Sequence, residues 1–197
     1  MNITAKQIAE LRAKTGIGMM ECKKALVEVG GDESKAMEII KKSGTLKAMK
    51  RADRETNAGI VESYVHSDGR IGVIVEVLAE TDFVAKNDEF KAFAHDVALH
   101  VAAMNPRFVS KEDVPAEEVE KERADFVDEV AKSGKPKDIA DKIVEGKLSK
   151  YLDEICLLNQ PFVKDPSMTI NDLLTEKISK IGEKITISRF CRFEIGE

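Results

Sequence analysis

The chain has 197 residues and a formal net charge of −5, and charged residues make up 34% of it. This length exceeds one average domain, so a main domain with a small accessory is expected. The near balance of positive and negative charge argues against a general nucleic-acid binder, because the domain that binds nucleic acid is usually strongly basic.

Three short helices are predicted in residues 1–44. The first begins at the capping-box pattern Thr4-x-x-Gln7 and ends at Gly16. The second ends at Gly30-Gly31, Asp32 caps the third, and Ser43-Gly44 is expected to end it. A module of this size buries little surface, so its expected role is to present a surface to a partner.

A basic, weakly patterned segment from Lys41 to Asn57 follows. It fits either a linker or a loosely packed helix, and we assign 45–58 as the linker to a core domain at 59–197. Two interpretations of its charge stay open. It is either a solvated run or a surface for an acidic partner, since long-range attraction speeds encounter.

Two strands are predicted at 59–65 and 70–77, joined by the Asp-Gly turn of a β-hairpin at Ser67-Asp68-Gly69. A helix from Phe90 to Met104 follows, with Asn87 as its candidate N-cap. Its apolar face is expected to pack on the sheet.

The segment between the second strand and this helix contains Thr81, Asp82, Phe83 and Val84. A large aromatic side chain is unexpected in a turn, because turns face water and have no core to fill. Phe83 therefore either packs back into its own domain or is presented to a partner as an apolar wedge. In the second case the Asp82 carboxylate stands beside it as a charged probe.

Two further helices, separated by Ser133-Gly134-Lys135-Pro136, predict an antiparallel helical hairpin at about 116–153 that projects from the body. Another helix begins near Thr169 and ends at Gly182. The tail from Lys184 to Ile195 is a predicted strand, although Arg189 and Phe190 break its alternation. The apolar residues assigned to one side of this strand are Ile185, Ile187, Cys191, Phe193 and Ile195. The predicted fold class is therefore α+β, with an antiparallel sheet packed with helices.

The chemistry of an active site is not recognisable in this sequence. There is no GxxxxGK[ST] phosphate loop, and the three histidines form no HExxH motif. Cys22, Cys156 and Cys191 are far apart without CxxC spacing, which favours reduced thiols in a cytoplasmic protein. No apolar run approaches the roughly 20 residues that span a bilayer, and Met1 to Glu10 lacks the apolar core of a signal peptide. We expect no enzyme activity, no cofactor and no metal.

Two long motifs resemble a known family. Residues 11–26, LRAKTGIGMMECKKAL, look like the N-terminal signature of bacterial elongation factor Ts, and residues 80–87, ETDFVAKN, resemble its second signature. Segments similar to its C-terminal region are Gly134-Lys135-Pro136, Val144-Glu145-Gly146-Lys147, Gln160-Pro161-Phe162-Val163 and residues 189–196. The resemblance covers essentially the whole chain, in order. Leu78-Ala79 departs from the more usual Asn-Cys, and the single core unit resembles the short form of the family.

The resemblance implies a guanine nucleotide exchange factor for elongation factor Tu, with a UBA-like N-terminal module and no nucleic-acid or membrane partner. The residues implied to contact the GTPase domain from this module are Arg12, Met19, Met20 and Lys23. Thr81, Asp82, Phe83 and Val84 are implied to enter near the bound magnesium and to disturb the phosphate site. His66 is implied to face another domain of the partner.

A single core unit also leads us to hypothesise a homodimer whose seam is the closing strand at Phe190 to Phe193. Cys191 would then lie near the two-fold axis, where a disulfide is not expected in the cytosol.

Two other classes of protein remain open. An RNA-associated ribosome factor, suggested by the basic Lys41 to Arg54 stretch, would bind RNA with a steep salt dependence. A UBA-type scaffold would bind helices without affecting nucleotide. Neither explains Asp82-Phe83.

Overall fold

The computed structural model describes residues 3–132 and 136–196. In chain order the helices of these residues are α1 (Ala5–Thr15), α2 (Met19–Glu28), α3 (Glu33–Met49), α4 (Asp82–Ala85), α5 (Asp88–Met104), α6 (Ala116–Ala131), α7 (Lys137–Ile155) and α8 (Ile170–Ile181). The strands are β1 (Ala58–Val65), β2 (Ile71–Ala79), β3 (Pro161–Phe162), β4 (Asp165–Thr169) and β5 (Ile185–Glu194). The predicted α+β class is confirmed. Within the described residues, no helix has both the length and the apolar character that crossing a membrane requires.

The chain separates into two compact units. The first contains the residues up to 60, Val77–Phe93 and Asp172–Thr186, and the second contains Val61–Glu76, Ala94–Asn171 and the residues from 187 onward. The domain boundaries expected from the sequence stay a prediction, as does the UBA-like character of the N-terminal module.

Helices α1, α2 and α3 enclose a small apolar core at the N-terminus. Thr4 and Gln7 form the predicted capping box, and Gly16 ends α1 at φ 67°, donating its N–H to the Arg12 carbonyl. The Asp32 side chain accepts from the Lys35 N–H at the start of α3. The buried residues of this core are Ile8, Leu11, Ile17, Cys22, Ala25, Leu26 and Ala36.

The predicted end of the third helix at Ser43-Gly44 is wrong. Helix α3 continues to Met49, so the first positions of the expected linker are helical. Gly44 is buried, and a Cβ on it would lie 3.5 Å from the Cβ of Ser179 on α8. A glycine inside a helix costs only about 0.5–1 kcal/mol relative to alanine, which packing against a second helix readily offsets.

Strands β1, β2 and β5 form a three-stranded sheet in the order β1-β2-β5. The predicted hairpin is present: the His66 N–H bonds the Ile71 carbonyl at 2.9 Å, and Gly69 has φ 69°. The Ile195 N–H bonds the Arg70 carbonyl at 3.0 Å, so β5 ends beside the start of β2 and runs antiparallel to it. Helix α5 lies against β1, where His95 Nδ1 is 3.1 Å from a Glu62 carboxylate oxygen.

The assignment of the odd-numbered apolar residues of the last strand to one side is wrong. Ile185 and Ile187 are buried, whereas Cys191, Phe193 and Ile195 are exposed. Between them, Ser188 and Arg189 are both exposed, and both side chains bond the Glu76 carboxylate. Two consecutive residues of one strand that lie opposite a single residue of the neighbouring strand are the pattern of a β-bulge. A bulge shifts the alternation of side chains by one residue.

Helices α6 and α7 form an antiparallel pair, as predicted. The Tyr151 hydroxyl donates to Glu118 at 2.7 Å, and Lys147 Nζ is 2.5 Å from Glu129, so residue numbers rise along one helix as they fall along the other. The Phe126 ring meets the Tyr151 ring edge-on at 6.5 Å. The turn predicted at Ser133-Gly134-Lys135 lies outside the described residues, and the projection of the pair stays a prediction.

The β3–β4 hairpin was not predicted. Pro161 pairs with Thr169 and Phe162 pairs with Asp165 in antiparallel register. A strand of two residues is too short for an alternating pattern, and the β4 sequence DPSMT does not alternate, so neither strand could be recognised in the sequence.

Candidate partner-binding site

Phe83 is 88% exposed and is the most exposed of the large apolar side chains described. It belongs to α4, a single helical turn at the place where the sequence predicted a turn. The next two side chains, Val84 and Ala85, are buried and anchor the turn to the protein. Of the two alternatives for Phe83, the structure therefore shows the one in which the ring faces outward, with the exposed Asp82 beside it.

Thr81 fixes the start of this turn through three hydrogen bonds. Its backbone N–H donates to Glu183 Oε2 at 3.1 Å, and its hydroxyl donates to Glu183 Oε1 at 2.8 Å. The same hydroxyl accepts a long bond, 3.5 Å, from the Val84 N–H. Glu183 was not predicted as part of the site, and its separation of 102 residues from Thr81 leaves no local signal in the sequence.

A second carboxylate holds the neighbouring backbone. Glu80 Oε1 accepts from the Lys184 N–H at 2.6 Å, and its other oxygen is 3.0 Å from Arg54 Nη1. These donors, the Lys184 N–H first, lower the pKa of the Glu80 carboxyl. Lys184 Nζ donates to the carbonyls of Ala52 and Arg54 at 2.6 and 2.8 Å. Residues 52–54, 80–81 and 183–184 are therefore tied together within the first compact unit.

The residues singled out in the N-terminal module lie on its surface. Met19 and Met20, in the first turn of α2, are 54% and 64% exposed, and Lys23 follows one turn later. Arg12 is exposed in the last turn of α1. Val27, also exposed, shares a face with Met19 and Lys23 because helical residues four apart are neighbours, and the sequence had not singled it out. This face belongs to the same compact unit as Phe83.

His66 lies in the second compact unit, directly after β1, in a cluster of polar rings with Tyr64 of β1 and His95 of α5. Its Nδ1 is 3.2 Å from the Tyr64 hydroxyl. The Tyr64 ring meets the His95 ring edge-on at 5.9 Å, and His95 contacts Glu62. His66 itself is exposed.

A third exposed surface is the apolar outer face of the three-stranded sheet, which we call the sheet face. Its exposed apolar residues are Val61 and Val65 on β1, Ile74 on β2, and Cys191 and Phe193 on β5, with Ile195 just after it. All of them belong to the second compact unit. Contiguous exposed apolar patches on a protein surface mark interaction sites.

The exposed residues of these surfaces are mainly apolar side chains, with Arg12, Lys23, Asp82 and His66 among them. In residues 3–132 and 136–196, no three His, Cys, Asp or Glu side chains are grouped so that they would hold a metal ion. Cys22 and Cys156 are buried, and burial raises the pKa of the Cys156 thiol, so neither is suited to act as a nucleophile. Exposed aromatic, methionine and arginine side chains are typical of surfaces that bind a protein partner.

The chain matches the sequence model of the family described as Elongation factor TS over residues 4–197. An elongation factor Ts of Alkaliphilus oremlandii is 56% identical over 197 residues, covering 100% of this chain and 91% of the relative. One of Carboxydothermus hydrogenoformans is 54% identical over 195 residues, covering 99% and 90%. One of Thermodesulfovibrio yellowstonii is 50% identical over 197 residues, covering 100% and 98%.

The chain belongs to the elongation factor Ts family. Membership of this family implies nucleotide exchange in translation elongation.

Proposed function

We propose that this protein is a cytoplasmic guanine nucleotide exchange factor that releases GDP from elongation factor Tu by disturbing its magnesium and phosphate site. The observation that supports this most directly is the 88% exposure of Phe83 on a turn whose backbone is fixed by Glu183. An exposed aromatic ring lowers the solubility of a protein, and a partner surface that buries the ring would explain why it is exposed.

Exchange requires the contacts that hold GDP to be loosened. A GTPase holds its nucleotide through a magnesium ion and a cradle of backbone N–H groups. Burial of the Phe83 ring between elements of the partner contributes about 1.5–3 kcal/mol toward displacing them. Asp82, next to the ring, accepts hydrogen bonds or repels the oxygen ligands of the metal. The protein makes no covalent change in this scheme.

Binding must be reciprocal. A factor that favours the nucleotide-free GTPase lowers the affinity of the GTPase for GDP. By the same ratio, bound GDP lowers the affinity of the GTPase for the factor. The energy for this coupling has to come from contacts that persist as nucleotide leaves. We assign these contacts to Arg12, Met19, Met20 and Lys23, with His66 as a further contact from the core. Thr81 and Val84 hold the backbone on either side of the wedge.

Replacing Phe83 by alanine tests the wedge. Phe83→Ala should leave the fold intact, because the ring packs against little of its own chain, and should slow stimulated GDP release about tenfold or more. Release of a fluorescent GDP analogue from elongation factor Tu, followed by stopped flow, gives the rate. Val127→Ala, an exposed apolar side chain on α6, is the matched control and should keep the full rate. Normal stimulated release by Phe83→Ala would exclude the wedge role.

We further propose that the protein is a homodimer joined through the sheet face. The outer apolar side chains of β1, β2 and β5 are exposed on one surface, and a two-fold interface would bring this surface against its own copy. A second copy seated there would cover the exposed β5 residues Cys191 and Phe193 and the following Ile195.

A further inference from the structure

Glu183 occupies the junction between the end of α8 and the start of β5. Gly182, with φ 87°, turns the chain after α8, and Ile185 begins β5 two residues after Glu183. Both carboxylate oxygens of Glu183 accept from Thr81, one from the backbone N–H and one from the hydroxyl. One side chain thus fixes both the main chain and the side-chain rotamer of Thr81.

Thr81 in turn determines where α4 begins. It is the N-cap of that helix, and Phe83 is the second helical residue after it. A helix of four residues does not sustain itself in water, because nucleation is unfavourable and few backbone bonds form. The direction of the Phe83 ring therefore depends on what holds the two ends of α4. At the C-terminal end these are the buried side chains of Val84 and Ala85, and at the N-terminal end it is Glu183.

The two chain segments are linked in both directions. The Glu183 side chain bonds the backbone of Thr81, while the Glu80 side chain bonds the backbone of Lys184. Two crossed bonds of this kind resist both sliding and rotation of one segment against the other. Glu183 differs from Glu80 in that its bonds reach the capping residue of α4 itself.

We propose that Glu183 is a positioning residue for nucleotide release, which holds the Phe83 ring in the outward orientation before the partner arrives. The proposal rests on the proposed function of Phe83. A side chain that is ordered in advance does not lose its freedom on binding, so more of its contact energy is available to the partner's conformational change. Glu183 makes no contact with the nucleotide in this scheme and acts only through α4.

The test separates the rate of exchange from binding. GDP release from elongation factor Tu is measured over a range of concentrations of this protein, which gives a maximal rate constant and a half-saturating concentration. Glu183→Ala removes both bonds to Thr81 and should lower the maximal rate constant about fivefold, the size expected for losing the order of one side chain. The half-saturating concentration should change by less than about twofold, because the α2 face is untouched.

Two further variants distinguish geometry from charge. Glu183→Gln is neutral, but its amide can still accept from the Thr81 N–H and donate to the Thr81 hydroxyl, so it should keep most of the maximal rate. Glu183→Asp keeps the charge but is one methylene shorter, and it should behave like Glu183→Ala. If Gln were as slow as Ala while Asp were normal, the carboxylate would act by its charge and the positioning role would be overturned. These two variants carry the test if Glu183→Ala does not fold.

A double-mutant cycle shows whether Glu183 acts through Phe83. In the Phe83→Ala background, Glu183→Ala should cause no further loss of the maximal rate constant. Two losses that simply multiply would overturn the proposal.

The single variants show which of the two proposals fails. If Phe83→Ala alone has no effect, the wedge itself fails. If Phe83→Ala is slow and Glu183→Ala is normal, only the positioning role fails. Glu38→Ala, an exposed carboxylate on α3, is the matched control for removing a charge.

Discussion

Phe83 is exposed because of its neighbours in the chain rather than because of its own chemistry. Val84 and Ala85 are buried and Thr81 is bonded to Glu183, so the backbone has little freedom to turn the ring inward. The sequence left two alternatives for this side chain. Phe83 precedes α5 and does not belong to its apolar face, and a large aromatic residue is not expected in a turn. The choice between them was made by the burial of Val84 and Ala85 and by the contact of Thr81 with Glu183, 102 positions away.

His100 is a second residue whose state is decided by its surroundings. It is fully buried, its Nε2 is 2.9 Å from Gln160 Oε1, and its Nδ1 accepts from the Val163 N–H at 3.2 Å. Since Nδ1 is an acceptor, the proton of the neutral ring is on Nε2 and donates to Gln160. Burial lowers the pKa of His100, and the Gln160 bond opposes this shift only in part.

This pKa shift predicts a pH dependence of stability. Unfolded His100 takes up a proton near its ordinary pKa of about 6.5, whereas the folded protein resists protonation until lower pH. The stabilisation is therefore complete above about pH 6.5 and declines as the pH falls below it. Urea unfolding at pH 7.5 and pH 5.5 should show a smaller loss of unfolding free energy in His100→Gln than in the unchanged protein. His66→Gln, which alters an exposed ring that contacts the Tyr64 hydroxyl, is the control, and an equal slope in all three proteins would contradict the prediction.

Helix α3 shows how tertiary contacts override a local signal. The sequence places a Ser-Gly pair where a helix commonly ends, yet α3 continues for five residues beyond Gly44 because that glycine packs against α8. The shift of alternation in β5 is a similar case, since it occurs where Ser188 and Arg189 both bond the Glu76 carboxylate of β2. In both places a partner that is distant in sequence determined the local geometry.

Gly44→Ala should stabilise the protein. The backbone at this position is helical, and an added Cβ would meet Ser179 at an ordinary contact distance of 3.5 Å. Replacing a helical glycine by alanine reduces the freedom of the unfolded chain, so the unfolding free energy should rise by about 0.5–1 kcal/mol. Chemical denaturation provides the measurement. Gly16→Ala is the contrasting variant, because Gly16 has φ 67° and alanine should destabilise there. A loss of stability in Gly44→Ala would contradict the prediction.

At the scale of the whole molecule, the sheet face is the proposed interface between two copies of the chain. On one side of the sheet Val73, Val75 and Val77 are buried, while on the other Val65 and Phe193 remain exposed. A sheet with apolar residues on both faces buries both when a second layer is present. In the dimer proposed above, a second copy of the chain would provide such a layer without any further component.

Phe193→Glu tests this assembly. The unchanged protein should sediment at twice the chain mass of 21.8 kDa, and the variant should sediment as a 21.8 kDa monomer, since burying two carboxylates near a two-fold axis is costly. Val127→Glu introduces the same charge at an exposed apolar position of α6 and should remain dimeric. A monomer mass for the unchanged protein at working concentration would remove the dimer.

The sequence by itself determined what depends on neighbours along the chain. These features include the capping box at Thr4, the Gly16 helix end, the Asp-Gly hairpin turn at Gly69 and the family signatures around Met20 and Phe83. They could be recognised because capping and turn geometry are local, involving residues only a few positions apart. Three features were decided only by the tertiary structure. Helix α3 continues beyond Gly44, Phe193 lies on the exposed face of the sheet, and Glu183 holds the residue that caps α4. Each of these depends on a contact between segments far apart in sequence, and such a contact exists only once the chain has folded.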